Sequence, residues 1–465
     1  MIRQGTSAAV AWLLVVAAGL AGCAAPPQPA PDSTVVVPSN WQAAPAEGKP
    51  VAADWWKAFG DPALDAMVQQ ALHSNGNLRI ARSRVQEYRA RAAVVDAGLS
   101  PALDLSAGPA RARARSASGA LAETTVFQVG VQASYEVDLW GRLAQLSDSA
   151  LASLEGQRAA RDAAELSIAA TVASGYFNLR GLDAQLALAR DTLSSRGESL
   201  SRARRLLDAG YSSRLDWAQA ESEYRSAAAA VPSLERSVSQ QENALSVLLG
   251  RNPGPLDRGR AITDIAAPTI SAGLPSELVR RRPDIAQAQD QLIATDHSLE
   301  ASRDQLLPSL KLSAGATVQG LSLHQLVNAP TALWSVGASV LAPLLQRPRL
   351  LAGADVAAAQ RDQALFAYED TVRQAFAEVE DALTAIRSLD RQREKLDGRN
   401  TAAAEVLRIA RSRYRNGYAS YLEELDAQRT SYAAQQSLLQ SRTALLSANV
   451  DLYRALGGGW SAGAP

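Results

Sequence analysis

Hydrophobic and polar side chains alternate strictly in four stretches of this chain. In residues 101–108, Leu103, Leu105 and Ala107 alternate with Asp104, Ser106 and Gly108. Phe127, Val129, Val131, Ala133, Tyr135 and Val137 then alternate with Gln128, Gly130, Gln132, Ser134, Glu136 and Asp138. A third stretch sets Leu310, Leu312, Ala314, Ala316 and Val318 against Lys311, Ser313, Gly315, Thr317 and Gln319. The fourth sets Trp334, Val336, Ala338 and Val340 against Ser335, Gly337 and Ser339. Such alternation predicts four strands, about 101–115, 125–139, 308–320 and 331–342, each with one apolar and one polar face.

Helical patterns fill most of the remainder. A helix of about 25 residues precedes each strand pair, at 77–99 and 283–306. Pro283 suits a first helical position, and Asp284 suits the positive end of the dipole. After each pair comes a long stretch rich in Ala, Leu, Gln and Arg, 143–209 and 350–415. A Gly-Tyr turn follows, then a returning helix, 214–249 and 421–456. A helix filling 143–209 is about 100 Å long. That length implies coiled-coil-like packing rather than a compact core. Pro232 is expected to kink the first returning helix, and Pro348 to mark the start of the second long one.

The two halves are copies. Pro101, Leu103, Leu105, Ser106, Ala107 and Gly108 line up with Pro308, Leu310, Leu312, Ser313, Ala314 and Gly315, an offset of 207 residues. At the same offset Gly210-Tyr211 and Leu215 meet Gly417-Tyr418 and Leu422, and Leu249-Gly250 meets Leu456-Gly457. Several coincidences at one spacing indicate a tandem duplication.

The N-terminus carries an address. One basic residue, Arg3, precedes a run from Ala8 to Leu20 that is apolar but for glycine. It is too short to span a bilayer and has the build of a secretory signal, residues 1–22. Leu20-Ala21-Gly22-Cys23 resembles the bacterial lipobox, in which the cysteine is acylated and becomes the mature N-terminus. Cys23 is the single cysteine, so no intrachain disulfide and no thiolate cluster can form. Residues 23–62, rich in proline at their start, read as a lipidated extended tether. With 47 basic and 47 acidic residues, near neutrality argues against nucleic acid as a partner, which needs a basic face.

The strands pose a problem that assembly solves. Four strands cannot close a barrel, and an open edge in lipid leaves backbone groups unpaired at several kcal/mol each. Either several chains share one barrel, or the sheet is soluble. Arg111, Arg113 and Arg115 fall in the connection between the first two strands, as the outer mouth of a pore or as a solvated hairpin loop. No catalytic constellation emerges, and His73, His297 and His324 lack metal-ligand spacing. Gly457-Gly458-Gly459 reads as a helix terminator, Arg280–Arg282 as the solvated entry to a helix, and Tyr176, Phe177 and Trp217 as packing residues.

Three segments carry a family resemblance: Trp55-Trp56 through Phe59 to Asp61-Pro62, then Tyr135 through Asp138 and Trp140 to Gly141-Arg142, then Leu274-Pro275 through Arg282-Pro283-Asp284. They resemble signature segments of the TolC-like outer-membrane efflux family, in its OprM/NodT-type lipoprotein branch. Asn416-Gly417-Tyr418 through Leu425-Asp426-Ala427 to Leu456-Gly457 fits the same branch. The resemblance implies a mostly α fold with a transmembrane β part. Three chains would share a 12-stranded barrel, four strands each, on a long periplasmic α-helical barrel. The repeats would span 63–257 and 258–465, with helical hairpins at 143–250 and 350–456. The implied partners are a periplasmic adaptor, an inner-membrane transporter of the resistance-nodulation-division type and outer-membrane lipid. No cofactor beyond the lipid on Cys23 and no enzymatic activity is implied.

The resemblance also suggests sites. Gly210, Tyr211, Leu215, Gly417, Tyr418 and Leu422 would form tips that contact the adaptor. Glu423 and Asp426 match paired acids that ring the closed periplasmic end, and Tyr414 matches a tyrosine of the same constriction. The aspartate this branch carries just after the turn glycine is absent, because Ala419 stands there. Two other readings remain open: Glu423 and Asp426 as ordinary solvated acids, and the whole chain as a coiled-coil scaffold lipoprotein without a pore.

Overall fold

In the computed structural model, which describes residues 34–43, 48, 50–115 and 119–460, the alternating stretches form one antiparallel sheet of order β1-β2-β3-β4. A 3-10 turn, Trp55–Phe59, precedes α1 (Pro62–Ser74) and α2 (Gly76–Ala97). β1 (Ala102–Arg115) and β2 (Leu121–Val137) follow, then α3 (Arg142–Asp208) and α4 (Arg214–Leu248). The second copy runs α5 (Pro275–Arg281), α6 (Pro283–Asp304), β3 (Ser309–Gly320), α7 (Leu323–Asn328), β4 (Thr331–Leu341), α8 (Arg347–Arg415) and α9 (Tyr421–Ala455). The described residues divide into two compact units, one of Thr34 with those in 84–158 and 287–369, the other of those in 35–83, 159–286 and 370–460.

The first unit holds the sheet. Leu105 pairs with Val131, Val131 with Ala316, and Ala316 with Trp334, so the apolar side chains of all four strands share one face. Gln132, Gly315 and Ser335 continue the opposite, polar face. Because the order follows the chain, β1 and β4 are open edges. The strand-to-helix joint explains the second signature segment. Asp138 accepts from the backbone N–H of Leu143 and Ala144 at 3.0 and 2.9 Å, capping α3, and Gly141 takes φ 86° to make the corner. Arg142 reaches back to Glu136 at 2.6 Å. In the same unit, Leu299 packs on Ala357 and Ala358, small residues that let α6 and α8 approach closely.

The second unit holds the aromatic core. Trp55 stacks on Tyr453 with ring centroids 5.0 Å apart, and Phe59 meets Phe177 at 4.8 Å. Asp61 caps α1 through the Ala63 N–H and also accepts from the Tyr176 hydroxyl at 2.6 Å and the Arg260 N–H at 3.0 Å. Burial pushes the Tyr176 hydroxyl pKa up, and the Asp61 bond adds to it. Segment 34–43 is held in place: Trp41 donates to the Gly273 carbonyl at 2.9 Å, and Gln42 N–H to Glu380 at 2.6 Å.

Two readings need correction. Arg111, Arg113 and Arg115 lie within β1, not in a connecting loop. Arg282 is buried rather than solvated, bonded to Asp284, Glu378 and the Ala455 carbonyl. Helix α4 carries Pro232 inside it and continues to Leu248. The glycine trio does terminate α9, but each member also sits where a Cβ would collide: Gly457 on the Arg281 carbonyl, Gly458 on Leu166, Gly459 on Ala52. Helices α5 and α7, seven and six residues long, have no counterpart in the periodicity reading, since each is too short to show several turns of pattern; α1, of 13 residues, also has none.

Candidate functional site at the paired helix turns

Each long helix ends in the same hydrogen-bonded turn. At the end of α3, Gly210 N–H bonds the Leu207 carbonyl at 3.0 Å and Tyr211 N–H bonds Leu206 at 2.8 Å. At the end of α8, Gly417 N–H bonds Tyr414 at 3.1 Å and Tyr418 N–H bonds Arg413 at 2.9 Å. This is the Schellman pattern, which needs a left-handed residue after the cap, and both glycines have φ 76°. The return helices start alike. Ser213 accepts from Asp216 N–H at 3.1 Å, and Ser420 from Glu423 N–H at 3.4 Å.

Apolar side chains stand in solvent at both turns. Tyr211 is 84% exposed and Tyr418 78%; Leu215 and Leu422 are 64% and 56% exposed. Four bulky residues at duplicated positions gain nothing from water and suit a contact surface.

Behind the turns the four helices meet. Ala203 of α3, Ala220 of α4, and Tyr421 and Leu425 of α9 form a buried cluster, with Leu200, Trp217 and Tyr414 against it. The Tyr414 and Tyr421 rings lie 5.7 Å apart. Burial raises the Tyr421 hydroxyl to about 12, and Glu424 and Glu223 add to it against Arg196. Burial also raises Tyr414, and the carboxylates adding to this shift are Glu424 and Asp216. Tyr414 is thus set among the packed residues.

Glu423 and Asp426 are exposed on α9. Glu423 occupies the N3 position, where its charge suits the helix dipole, and its carboxylate pairs with Arg413 at 3.2 Å. Arg413 also donates to the Tyr418 carbonyl at 3.3 Å, which ties the turn to the returning helix. Asp426 faces outward near Arg429, whose pKa is raised chiefly by Glu223 and also by Asp426.

A buried polar network links the four helices. Arg196, 5% exposed, donates to Gln428 at 2.5 Å and lies 3.4 Å from Glu223. Burial lowers the Arg196 pKa, and Glu223 opposes that shift. Gln428 donates to Glu424 at 2.8 Å, while Arg411 approaches Glu424 at 3.8 Å and donates to Ser195 at 2.8 Å. Arg429 closes the network on Glu223. The other Glu424 oxygen has no protein donor. The signal for Glu424 and Gln428 was present in the sequence: with Tyr421 and Leu425 they make an i, i+3, i+4, i+7 face. Cys23 lies outside the described residues.

Among the described residues no cluster of His, Cys, Asp and Glu suits a metal, and no helix is long and apolar enough to cross a membrane.

The chain is similar over nearly its whole length to known proteins. A family model described as outer membrane efflux protein matches residues 67–251 and 274–458, two segments set apart by the repeat offset. The pyoverdine export outer membrane protein OpmQ of Pseudomonas putida is 33% identical over 464 residues, covering 97% of this chain and 98% of that protein. The cation efflux system protein CusC of Escherichia coli is 31% identical over 410 residues, 88% of each chain. Among solved structures, the open state of the Neisseria gonorrhoeae MtrE outer membrane channel matches with TM-score 0.83 and 32% identity, covering 93% of this chain and 98% of that one.

Proposed function

This chain belongs to the outer membrane efflux protein family and is an outer-membrane efflux channel protein; on that premise we propose that three copies close one 12-stranded barrel as the exit duct of a tripartite pump. The observation that carries the reading is the sheet, with one face apolar, one polar, and open edges at β1 and β4. In lipid both edges need a partner strand, and a second and third copy supply them. The polar face then lines a water-filled lumen through which solutes diffuse passively. Energy comes from an inner-membrane transporter of the resistance-nodulation-division type, joined to the duct by a periplasmic adaptor. OpmQ exports pyoverdine and CusC belongs to a cation efflux system, so the cargo is set by the transporter rather than by this lumen.

Cys23 carries the acyl anchor, on the support of the lipobox-like Leu20–Cys23. The exposed Tyr211, Leu215, Tyr418 and Leu422 make the adaptor-contacting tips, with Gly210 and Gly417 shaping the turns. Glu423 and Asp426 ring the periplasmic gate, with Asp426 the freer charge because Glu423 is engaged by Arg413. The decisive experiment fractionates envelopes and looks for heat-resistant trimers in the outer membrane that open pores in planar bilayers. A peripheral species without pores would overturn the duct. Labelled palmitate should enter the wild-type chain and not Cys23→Ser.

A further inference from the structure

The register of the sheet gives β1 a second role at its far end. Odd-numbered positions of β1 carry Leu103, Leu105 and Ala107 on the apolar face, opposite Ala133, Val131 and Val129. That face continues through Pro109, opposite Phe127, and then changes character. Arg111, Arg113 and Arg115 follow at the same spacing, opposite Thr125, Glu123 and Leu121, while Ala112 and Ala114 take the polar, lumen-side face. The three guanidiniums therefore stand on the lipid-facing surface, not at the lumen. Successive members sit about 7 Å apart along the strand.

Strand lengths place this ladder at the edge of the hydrocarbon. A membrane strand needs about 9–11 residues, and β1 has 14 and β2 17. β3 pairs with β2 only as far as Gly320 opposite Phe127, so from Ala110 to Arg115 the β1–β2 ribbon runs on past β3. Both strands join helices at their other ends, at Ala97 and Arg142. With the helices periplasmic, as the duct reading on which this inference rests requires, the ribbon emerges from the outer leaflet.

The cations are under-compensated. Glu123 serves two of them, at 2.7 Å from Arg111 and 3.7 Å from Arg113, and Arg115 donates to the Gly119 carbonyl at 2.9 Å. Arg111 and Arg113 remain 72% and 64% exposed at their side chains. Each guanidinium has five donors, and one shared carboxylate leaves most of them to water or to an anion. The planar fork fits a phosphate in bidentate fashion. An apolar band running into a row of arginines fits one kind of molecule, with acyl chains below and phosphate at the boundary. We propose that Arg111, Arg113 and Arg115 bind the phosphates of a phosphorylated glycolipid of the outer leaflet, of the lipid A type, whose chains lie along Leu103, Leu105, Val129 and Val131.

The test uses full-length trimers in nanodiscs of phosphatidylcholine and titrates bisphosphorylated lipid A, fully dephosphorylated lipid A and phosphatidylglycerol. Wild type should prefer the bisphosphorylated lipid, and Arg111→Gln/Arg113→Gln/Arg115→Gln should bind it on the order of a hundredfold more weakly. Dephosphorylated lipid should not distinguish the two proteins. Glu123→Gln should bind more tightly than wild type, since the negative charge that competes for Arg111 and Arg113 is gone. That variant keeps the proposal testable if the triple variant fails to assemble. Equal binding by wild type and triple variant, or unchanged binding by Glu123→Gln, overturns the ladder. Equal wild-type affinity for phosphatidylglycerol also overturns it, in favour of a general response to anionic surface. Single-channel recording of the same proteins in planar bilayers separates the two layers of inference: normal pores with unaltered lipid A binding sink the ladder alone, whereas absent trimers and pores sink the duct.

Discussion

The turn at Gly210 and the turn at Gly417 share a backbone and differ in charge. Both have a glycine at φ 76°, the same pair of Schellman bonds, a serine cap and an exposed Tyr and Leu. Their side chains then diverge at the repeat offset. Leu206 becomes Arg413, Trp217 becomes Glu424, and Gln219 becomes Asp426. Asp216 becomes Glu423, one methylene longer. Asp216 folds back to the Ser213 N–H at 3.3 Å and completes a capping box, whereas Glu423 reaches Arg413 instead. The positions that shape the backbone stayed the same in both copies, because left-handed φ and orphan N–H groups leave few alternatives. The helix faces diverged: Trp217 and Gln219 give way to Glu424 and Asp426 while Arg214 gives way to Tyr421, so acids gathered at the start of the second returning helix. A charge-dependent function therefore belongs to the second turn, and a shape-dependent one to both.

Breaking what joins the two turns has the largest expected effect. Arg196 of the first hairpin is held by Gln428 of the second and by Glu223. Replacing Arg196 with Met leaves Glu223 facing Arg429 without its buried partner, at about 3–5 kcal/mol of local stability. Hydrogen exchange should show protection lost together near residues 195–230 and 411–432. Loss confined to one hairpin would mean that the network does not couple them.

Next comes the shared backbone. Gly210→Val and Gly417→Val each force a β-branched residue to positive φ, at about 1–3 kcal/mol. Both should impair export to a similar degree while leaving outer-membrane insertion intact, and the Asn variants should be milder. If one variant exports normally, shape is required of only one turn.

A smaller change makes the second turn like the first. Arg413→Leu removes an exposed ion pair and the bond to the Tyr418 carbonyl, for at most about 1 kcal/mol. Exchange should quicken at the Tyr418 amide and stay unchanged at Tyr211. Equal rates in mutant and wild type would remove Arg413 as the tie between turn and helix.

These regions also differ in how far the sequence revealed them. The turns were legible, since glycine followed by tyrosine at the end of a long helical pattern has a local cause, and the repeat supplied each twice. The strands were legible for the same reason: period 2 is written residue by residue. The network of Arg196, Gln428, Glu424 and Arg411 was not, because Arg196 and Gln428 lie 232 positions apart and periodicity does not say which faces meet. Arg282 looked like its neighbours Arg280 and Arg281 until Glu378 and the Ala455 carbonyl came beside it. The predicted strand bounds 101–115 already held the arginines of β1, but their alternation with alanine also fits a hairpin connection, and pairing with β2 decides for the strand.

The smallest effect on stability tests the sharpest difference in charge. Three copies of Glu423 and Asp426 around one axis would attract cations and repel one another. Neutralising both, as Glu423→Gln with Asp426→Asn, should change stability by well under about 1 kcal/mol, because both side chains are solvated. It should weaken cation selectivity and any block by divalent ions added on the periplasmic side. The single variants then separate the pair. Glu423 already carries Arg413 as a counter-ion at 3.2 Å, so its charge is partly compensated before any cation arrives. Asp426, facing outward beyond the Arg429–Glu223 pair, lacks so close a cation within its own turn. Asp426→Asn should account for most of the change, and Glu423→Gln should approach it only when combined with Arg413→Gln, which frees the wild-type Glu423 charge in the matched control. The measurement is single-channel recording in asymmetric salt with divalent ions on one side. Wild-type selectivity and block in the double variant would make both acids a solvated helix face, and the charge that distinguishes the second turn would then serve packing through Glu424 rather than passage.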